Sequence, residues 1–229
     1  MICSACPDCR FAVTDVEMEL ESFGIDYTFE IHITVETNDV KGFERVCTHN
    51  DIKPIIIEYQ RWTDRKTATQ LMTAQTVRDT MEAVINEIKR IKTVFKVSGM
   101  KVIREKVEVG PTDAGLHDVL YMESHLAFTL PTNQINDLRN HAERVGVHMS
   151  RNAFKSDPAL KRSTYMVTIR EYDIDPIPFI RHTKGIRDGF ARRGFGAAKT
   201  IIEACIFDTN QCNDDEWIDP TGTLKQKGI

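Results

Sequence analysis

The sequence predicts an α+β fold built from two tandem halves, each running β-α-β-β-α-β, and three observations carry the prediction. The first is internal repetition. A shift of 95 positions pairs Thr69 with Thr164, Thr73 with Thr168, Gly99 with Gly194, Arg104 with Lys199 and Glu108 with Glu203. Apolar positions follow the same shift: Val84 with Phe179, Ile85 with Ile180, Ile91 with Ile186 and Phe95 with Phe190. Nearer the start the offset is 93, which sets Glu30-Ile31-His32 on Glu123-Ser124-His125, and a two-residue insertion near Leu130-Pro131 accounts for the change. The second observation is the alternation of Phe29, Ile31, Ile33 and Val35 with Glu30, His32, Thr34 and Glu36, the period of a half-buried strand. The third is the helical spacing of Val77, Val84, Ile88, Ile91 and Phe95.

Each element follows from local chemistry. After the first strand, Asn38 and Asp39 are candidate caps for a helix running to about Asn50. Pro54-Ile55-Ile56-Ile57 opens a β-branched second strand, residues 61–67 form a polar connection, and residues 69–73 return as a third. A helix is expected over 76–97, stopped by Ser98-Gly99, before a fourth strand at 101–109. The second half repeats the order. Strand 120–130 is followed by a helix over 132–144 that ends at Gly146. Strands 147–151 and 163–171 come next, then a helix over 176–193 ended by Gly194 and a strand over 197–207.

This order resembles the ferredoxin-like fold, an antiparallel four-stranded sheet with two helices on one face. The expected organisation is therefore a Cys-containing N-terminal segment over 1–25, ferredoxin-like halves over 26–110 and 117–210 derived by internal duplication, and a polar tail over 211–229. With 229 residues, 41% hydrophobic and 28% charged, wholesale disorder is excluded. A net charge of −4 removes a global basic field, so no strong double-stranded DNA signal is present. Without an apolar stretch long enough to span a bilayer, and without a signal-like start, a cytoplasmic protein with no membrane partner is expected.

Parity defines the candidate site. If Phe29, Ile31, Ile33 and Val35 face the helices, then Glu30, His32, Thr34 and Glu36 face away, as do Glu123, His125, Ala127 and Thr129 in the second half. Sheets facing one another about a pseudo-two-fold axis would bring His32 and His125 to one cleft, each beside a carboxylate. Paired imidazoles suit general acid–base work across a phosphodiester. Ile31-His32-Ile33-Thr34-Val35 resembles the h-H-x-T-h signature of the 2H phosphoesterases, a superfamily also built from a duplicated α+β unit. That resemblance implies a hydrolase or transferase acting on a nucleotide or RNA phosphodiester, with His32 and His125 moving protons and Thr34 holding a phosphate oxygen. His125-Leu126-Ala127 departs from the signature by lacking the hydroxyl. Glu30 and Glu123 would tune the imidazoles, and Arg104 and Lys199 are candidate substrate contacts or ordinary cross-strand ion pairs. The alternative is a non-enzymatic binding or regulatory protein with a nucleic-acid or protein partner, although the face lacks the aromatic run of an RNA-reading sheet.

Glu30, His32, Glu123 and His125 also form a donor set of zinc or manganese type, but proton transfer by the two imidazoles needs neither, and no metal and no cofactor are expected. Cys3, Cys6 and Cys9 form a C-x-x-C-x-x-C cluster that would need a fourth ligand such as Cys47 or His49. Arg181, His182, Lys184, Arg187, Arg192 and Arg193 make the last helix basic, a solvated face or an anion site. Residues 194–200 imitate a phosphate loop but lack its glycine before Lys199 and run into a strand.

Overall fold

An open four-stranded sheet leaves two edge strands with unpaired backbone groups, and two such sheets in one chain can satisfy each other by joining. The computed structural model, which describes residues 27–62, 64–157 and 162–218, takes that solution. Its strands are β1 (Tyr27–Glu36), β2 (Pro54–Gln60), β3 (Thr67–Thr73), β4 (Gln75–Asp79), β5 (Lys101–Val109), β6 (Tyr121–Pro131), β7 (His148–Asp157), β8 (Arg162–Glu171) and β9 (Lys199–Asp208). Helices α1 (Val40–His49), α2 (Met81–Val97), α3 (Ile135–Val145) and α4 (Pro176–Arg192) lie between them.

Eight strands form a closed antiparallel ring in the order β1-β3-β2-β7-β8-β6-β9-β5, and β4 continues β3 beyond Ala74 along β1. The halves are stitched at two seams. One pairs Ile57, Glu58 and Tyr59 of β2 with Asn152, Arg151 and Ser150 of β7; the other pairs Lys106 to Val109 of β5 with β9. Pairing of Thr34 with Met72 and of Val35 with Leu71 completes the ring.

The expectation of two tandem ferredoxin-like halves is thereby corrected. β2 and β5, which would be the exposed edges of a first sheet, are hydrogen-bonded to the second half, and the product is one eight-stranded barrel with four outer helices. A second correction concerns residues 76–80, expected as helix. Gln75–Asp79 is strand because its backbone pairs with Tyr27 to Ile31, and α2 starts only after the Thr80 cap.

Apolar residues sit between barrel and helices. Phe29, Ile31, Ile33 and Val35 point outward to meet Phe43 and Cys47 of α1 and Val84, Ile88, Ile91 and Phe95 of α2, while Met122, Leu126 and Phe128 meet Leu138 of α3 and Phe179 and Phe190 of α4. The core is thus a sleeve around the barrel, and the alternate residues of every strand are left to fill its interior. Helix ends follow their local chemistry. Asp39 accepts a 2.8 Å bond from the Gly42 amide, and Gly146 at φ +77° and Gly194 at φ +86° end α3 and α4. A β-carbon at Gly42 would lie 2.2 Å from Asp39 Oδ2. Gly42→Ala is therefore expected to break this cap and cost about 1 kcal/mol, read as a lower midpoint in chemical denaturation.

Beyond β9 a 3-10 turn at Gln211–Asp214 leads to Trp217 and Ile218, which are buried; Trp217 stacks on Tyr59 at 5.2 Å. The Cys3, Cys6 and Cys9 cluster lies outside the described residues. Cys47 is buried in the core with its thiol pushed up to about 12 by desolvation, and among the described residues no group of three or more His, Cys, Asp or Glu side chains is arranged to hold a metal ion. No helix among them is long and apolar enough to cross a membrane.

Candidate functional site in the barrel interior

Inward-facing residues are set by strand register. On β1 they are Glu30, His32 and Thr34, opposite Glu108, Lys106 and Arg104 of β5. On β6 they are Tyr121, Glu123 and His125, opposite Cys205, Glu203 and Ile201 of β9 on one side and, for the last two, Arg170 and Thr168 of β8 on the other. Eight strands leave an interior about as wide as the side chains that fill it. Here those side chains are charged, so each needs a partner or must give up its charge.

Most find partners in a continuous chain of alternating charge. Asp208 receives Arg104 through bonds of 2.9 and 2.6 Å, and Arg104 also donates to Asp214 at 2.8 Å. Asp214 takes a further 2.6 Å bond from Arg170, which reaches Glu123 at 3.1 Å. Lys106 lies 2.8 Å from Glu123 and 2.7 Å from Glu108, and Glu108 lies 3.0 Å from His32 Nε2. Tyr121 anchors the middle: its hydroxyl donates to Asp208 at 2.7 Å, and the Arg170 guanidinium stacks 4.5 Å from its ring centroid. Burial alone would raise these carboxyls. Arg170 and Lys106 overcome it at Glu123 and bring that group down to about 2, and Arg104 with Arg170 holds Asp214 far below the usual carboxylate range.

One carboxyl is left over. Glu203 is mostly buried, and its negative neighbours Glu108, Glu30 and Glu123 outweigh Lys106, whose ammonium is already shared by two carboxylates. Desolvation first, and then this repulsion, raises Glu203 to about 9. Glu203 Oε2 is 3.9 Å from His125 Nε2, while Nδ1 of that ring bonds Thr168 Oγ1 at 3.0 Å. Burial and the Lys106 charge push His125 below its ordinary value. The usual order of a Glu–His pair is inverted: at neutral pH the acid keeps its proton and the imidazole is uncharged.

Glu203 of this pair lies at the open end of the barrel, with His125 behind it. A cavity of about 220 Å³ is lined by Glu30, Glu108 and Glu203 together with Thr28, Thr76 and Ile202. The opposite end is closed by the 211–218 segment. Asp214 enters the interior there, Gln70 donates to it at 3.2 Å, and Trp62 bonds the Asp215 carbonyl and the Glu216 carbonyl from outside.

The residues expected from sequence are dispersed over this arrangement. His32 and His125 both face the interior, but His32 is pinned: Nδ1–H donates to the Thr73 carbonyl at 2.8 Å, and Nε2 faces Glu108. Thr34 is buried deeper, its hydroxyl without a hydrogen-bond partner. Arg104 is consumed by Asp208, Asp214 and Tyr121, and Lys199 lies exposed at the start of β9. Glu123 is an ion-pair partner of Arg170 and Lys106, and Glu30 lines the mouth. The sequence reading did not single out Arg170 or Asp214. Glu108 and Glu203 stand out in the sequence only as repeat equivalents, which was itself a cue.

The phosphodiester reading does not survive this geometry. Its cleft between two separate sheets is absent, because the barrel is closed. An anionic phosphate entering the mouth would meet the carboxylates of Glu30, Glu108 and Asp113, which lowers its occupancy by repulsion. Nor does the interior offer the open nucleic-acid or protein surface that the non-enzymatic alternative requires.

No protein-family model matches the chain, and no curated protein matches it. Among solved structures, the chain is similar to a candidate monooxygenase of Fusobacterium nucleatum (8% identity, TM-score 0.30, covering 82% of this chain and 96% of that one). It is also similar to a heme-binding protein of Thermus thermophilus (11% identity, TM-score 0.26, 79% and 92% covered) and to the siroheme decarboxylase NirDL (11% identity, TM-score 0.26, 79% and 72% covered). Likenesses at this level assign no activity to the chain; the expected membership of the 2H superfamily is corrected by the fold itself, a closed barrel in place of two separate sheets flanking a cleft.

Proposed function

We propose that the barrel mouth is an acid–base site for a small, uncharged or cationic substrate, with protonated Glu203 as the proton donor and neutral His125 as the acceptor. The observation that carries this reading is the inverted pair itself, a carboxyl raised to about 9 that lines an opening to solvent, beside an imidazole pushed down. Adjacent groups whose environments drive their proton affinities in opposite directions are suited to give and take a proton in one turnover. The cavity holds about seven waters' worth of liquid, so the substrate is small. Its carboxylate rim favours cations and hydrogen-bond donors over anions. Thr168 orients the His125 ring through Nδ1, leaving Nε2 towards Glu203. His32 and Glu108 are positioning residues that keep negative charge beside Glu203.

Proton abstraction from carbon is the most direct readout. A panel of small ketones, aldehydes and amines incubated in D2O should include a compound whose C–H exchanges faster with the protein, followed by NMR. Glu203→Gln and His125→Asn should each slow that exchange by about 100-fold or more, while the circular dichroism spectrum stays unchanged. Exchange persisting in both variants, or selective binding of small anions at the mouth, would overturn the proposal.

A further inference from the structure

A second site lies outside the barrel, between α3 and α4. There a groove of about 1000 Å³ is lined by His141, Arg181, His182, Arg192 and Arg193. The structure assigns to this groove a compact polyanion, a small molecule carrying two or more phosphate or carboxylate groups, bound by the arginine rim and by an imidazole in its wall.

Three independent features meet here. The first is His141, only 6% exposed, with neither ring nitrogen hydrogen-bonded; Phe190 packs edge-on against the ring at 4.5 Å. A buried polar group without a partner costs free energy, and such groups in folded proteins call for an explanation. His182, half-buried beside it, also has no hydrogen bond at Nε2, which lies 4.0 Å from Glu171 Oε1. The second is charge. Arg181, Arg192 and Arg193 are exposed and have no ion-pair partner among the described residues, since Asp188 on the same helix is taken by Arg187. Arginine forks of this kind match phosphate and carboxylate oxygens.

The third feature is the floor. Gly185 and Gly189 stand one turn apart on α4. A β-carbon at Gly185 would meet nothing within 4 Å, and one at Gly189 only the Arg192 guanidinium at 3.8 Å. Glycine inside a helix sacrifices about 1 kcal/mol relative to alanine, and neither position needs it for close packing or for an unusual φ. What the two glycines do is keep the groove deep. A solvated basic helix face would need neither the glycines nor a buried imidazole with both ring nitrogens unbonded.

The test uses the intact protein in 0.15 M NaCl, titrated calorimetrically with inorganic pyrophosphate and, separately, with citrate. One or both should bind saturably at one site, and which one does distinguishes phosphate from carboxylate recognition. Arg192→Ala combined with Arg193→Ala should weaken binding about tenfold or more, as should Gly185→Leu, which fills the floor. These positions are exposed, and thermal melts check that the variants remain folded. In the wild type the His141 ring nitrogens should shift in a proton–nitrogen correlation spectrum as the probe is added. The inference is overturned by absence of saturable binding for both probes, by equal binding in the variants, or by an unmoved His141. It is equally overturned if a short single-stranded RNA binds while neither small probe does. Loss of the barrel-mouth reaction would leave these results untouched.

Discussion

Asp214→Ala is expected to destabilise the protein by about 3–5 kcal/mol, the largest loss from any single polar change in the barrel. Removing the carboxylate leaves Arg104 and Arg170 facing each other across the interior at 3% and 2% exposure, without the anion that separates them. Each keeps one other carboxylate, Asp208 and Glu123 respectively, so the fold survives with a lower midpoint in guanidinium unfolding. Asp214→Asn keeps the shape and one acceptor and should lose less. A change within about 0.5 kcal/mol for Asp214→Ala would show that the 211–218 segment is not held through this ion pair. The same pairing fixes the acid limb of stability. Asp214, Glu123 and Glu108 all ionise more readily in the folded protein than in the unfolded chain. Their contribution is complete above the ordinary carboxylate range and falls away as pH drops below about 4.

Glu203→Gln is expected to act in the opposite sense, stabilising the protein by roughly 3 kcal/mol at pH 7. With a folded value of about 9, Glu203 holds its proton in the native state while the unfolded chain releases it above the ordinary carboxylate range. Its contribution is therefore fully favourable only below that range, and it erodes as pH rises towards 9. Glutamine has the shape of the protonated acid and no proton to lose. Wild type and variant should have similar stability near pH 4 and diverge steadily up to pH 9. A variant less stable than wild type at pH 8 would mean that Glu203 is ionised in the fold and paired with a cation. Stability gained by deleting a buried acid, with turnover lost, is the trade expected of a functional group.

Strand parity was legible because its chemistry is local. Phe29, Ile31, Ile33 and Val35 needed an apolar environment, so Glu30, His32 and Thr34 had to occupy the other face of β1. Ring closure was not legible. The seams between β2 and β7 and between β5 and β9 are backbone hydrogen bonds joining residues about 90 or more positions apart, and Ile57 opposite Asn152 or Glu58 opposite Arg151 carries no signature of pairing until the edges meet. Reading the second face as an open cleft followed from treating the halves as separate sheets, and the phosphodiester assignment fell with it.

The interior charges were hidden for a related reason. Arg104 looked like a substrate contact because its partners Asp208 and Asp214 arrive from beyond the last predicted strand. Asn213-Asp214-Asp215-Glu216 reads as a solvated tail, and only Trp217-Ile218 behind it hints that the segment folds back. Glu203 and Glu108 were visible as repeat equivalents, but their equivalence says nothing of protonation. That depends on how many cations reach them, and Lys106 was already shared.

The most direct measurement is a pH titration of the Glu203 side-chain carboxyl by carbon-13 NMR in the wild-type protein, assigned with Glu203→Gln. A chemical shift that stays at the protonated position through neutral pH and moves near pH 9 is the predicted result. A carboxyl that titrates in the ordinary glutamate range, between about pH 4 and 5, would contradict the inverted pair and remove the basis for acid–base chemistry at the barrel mouth.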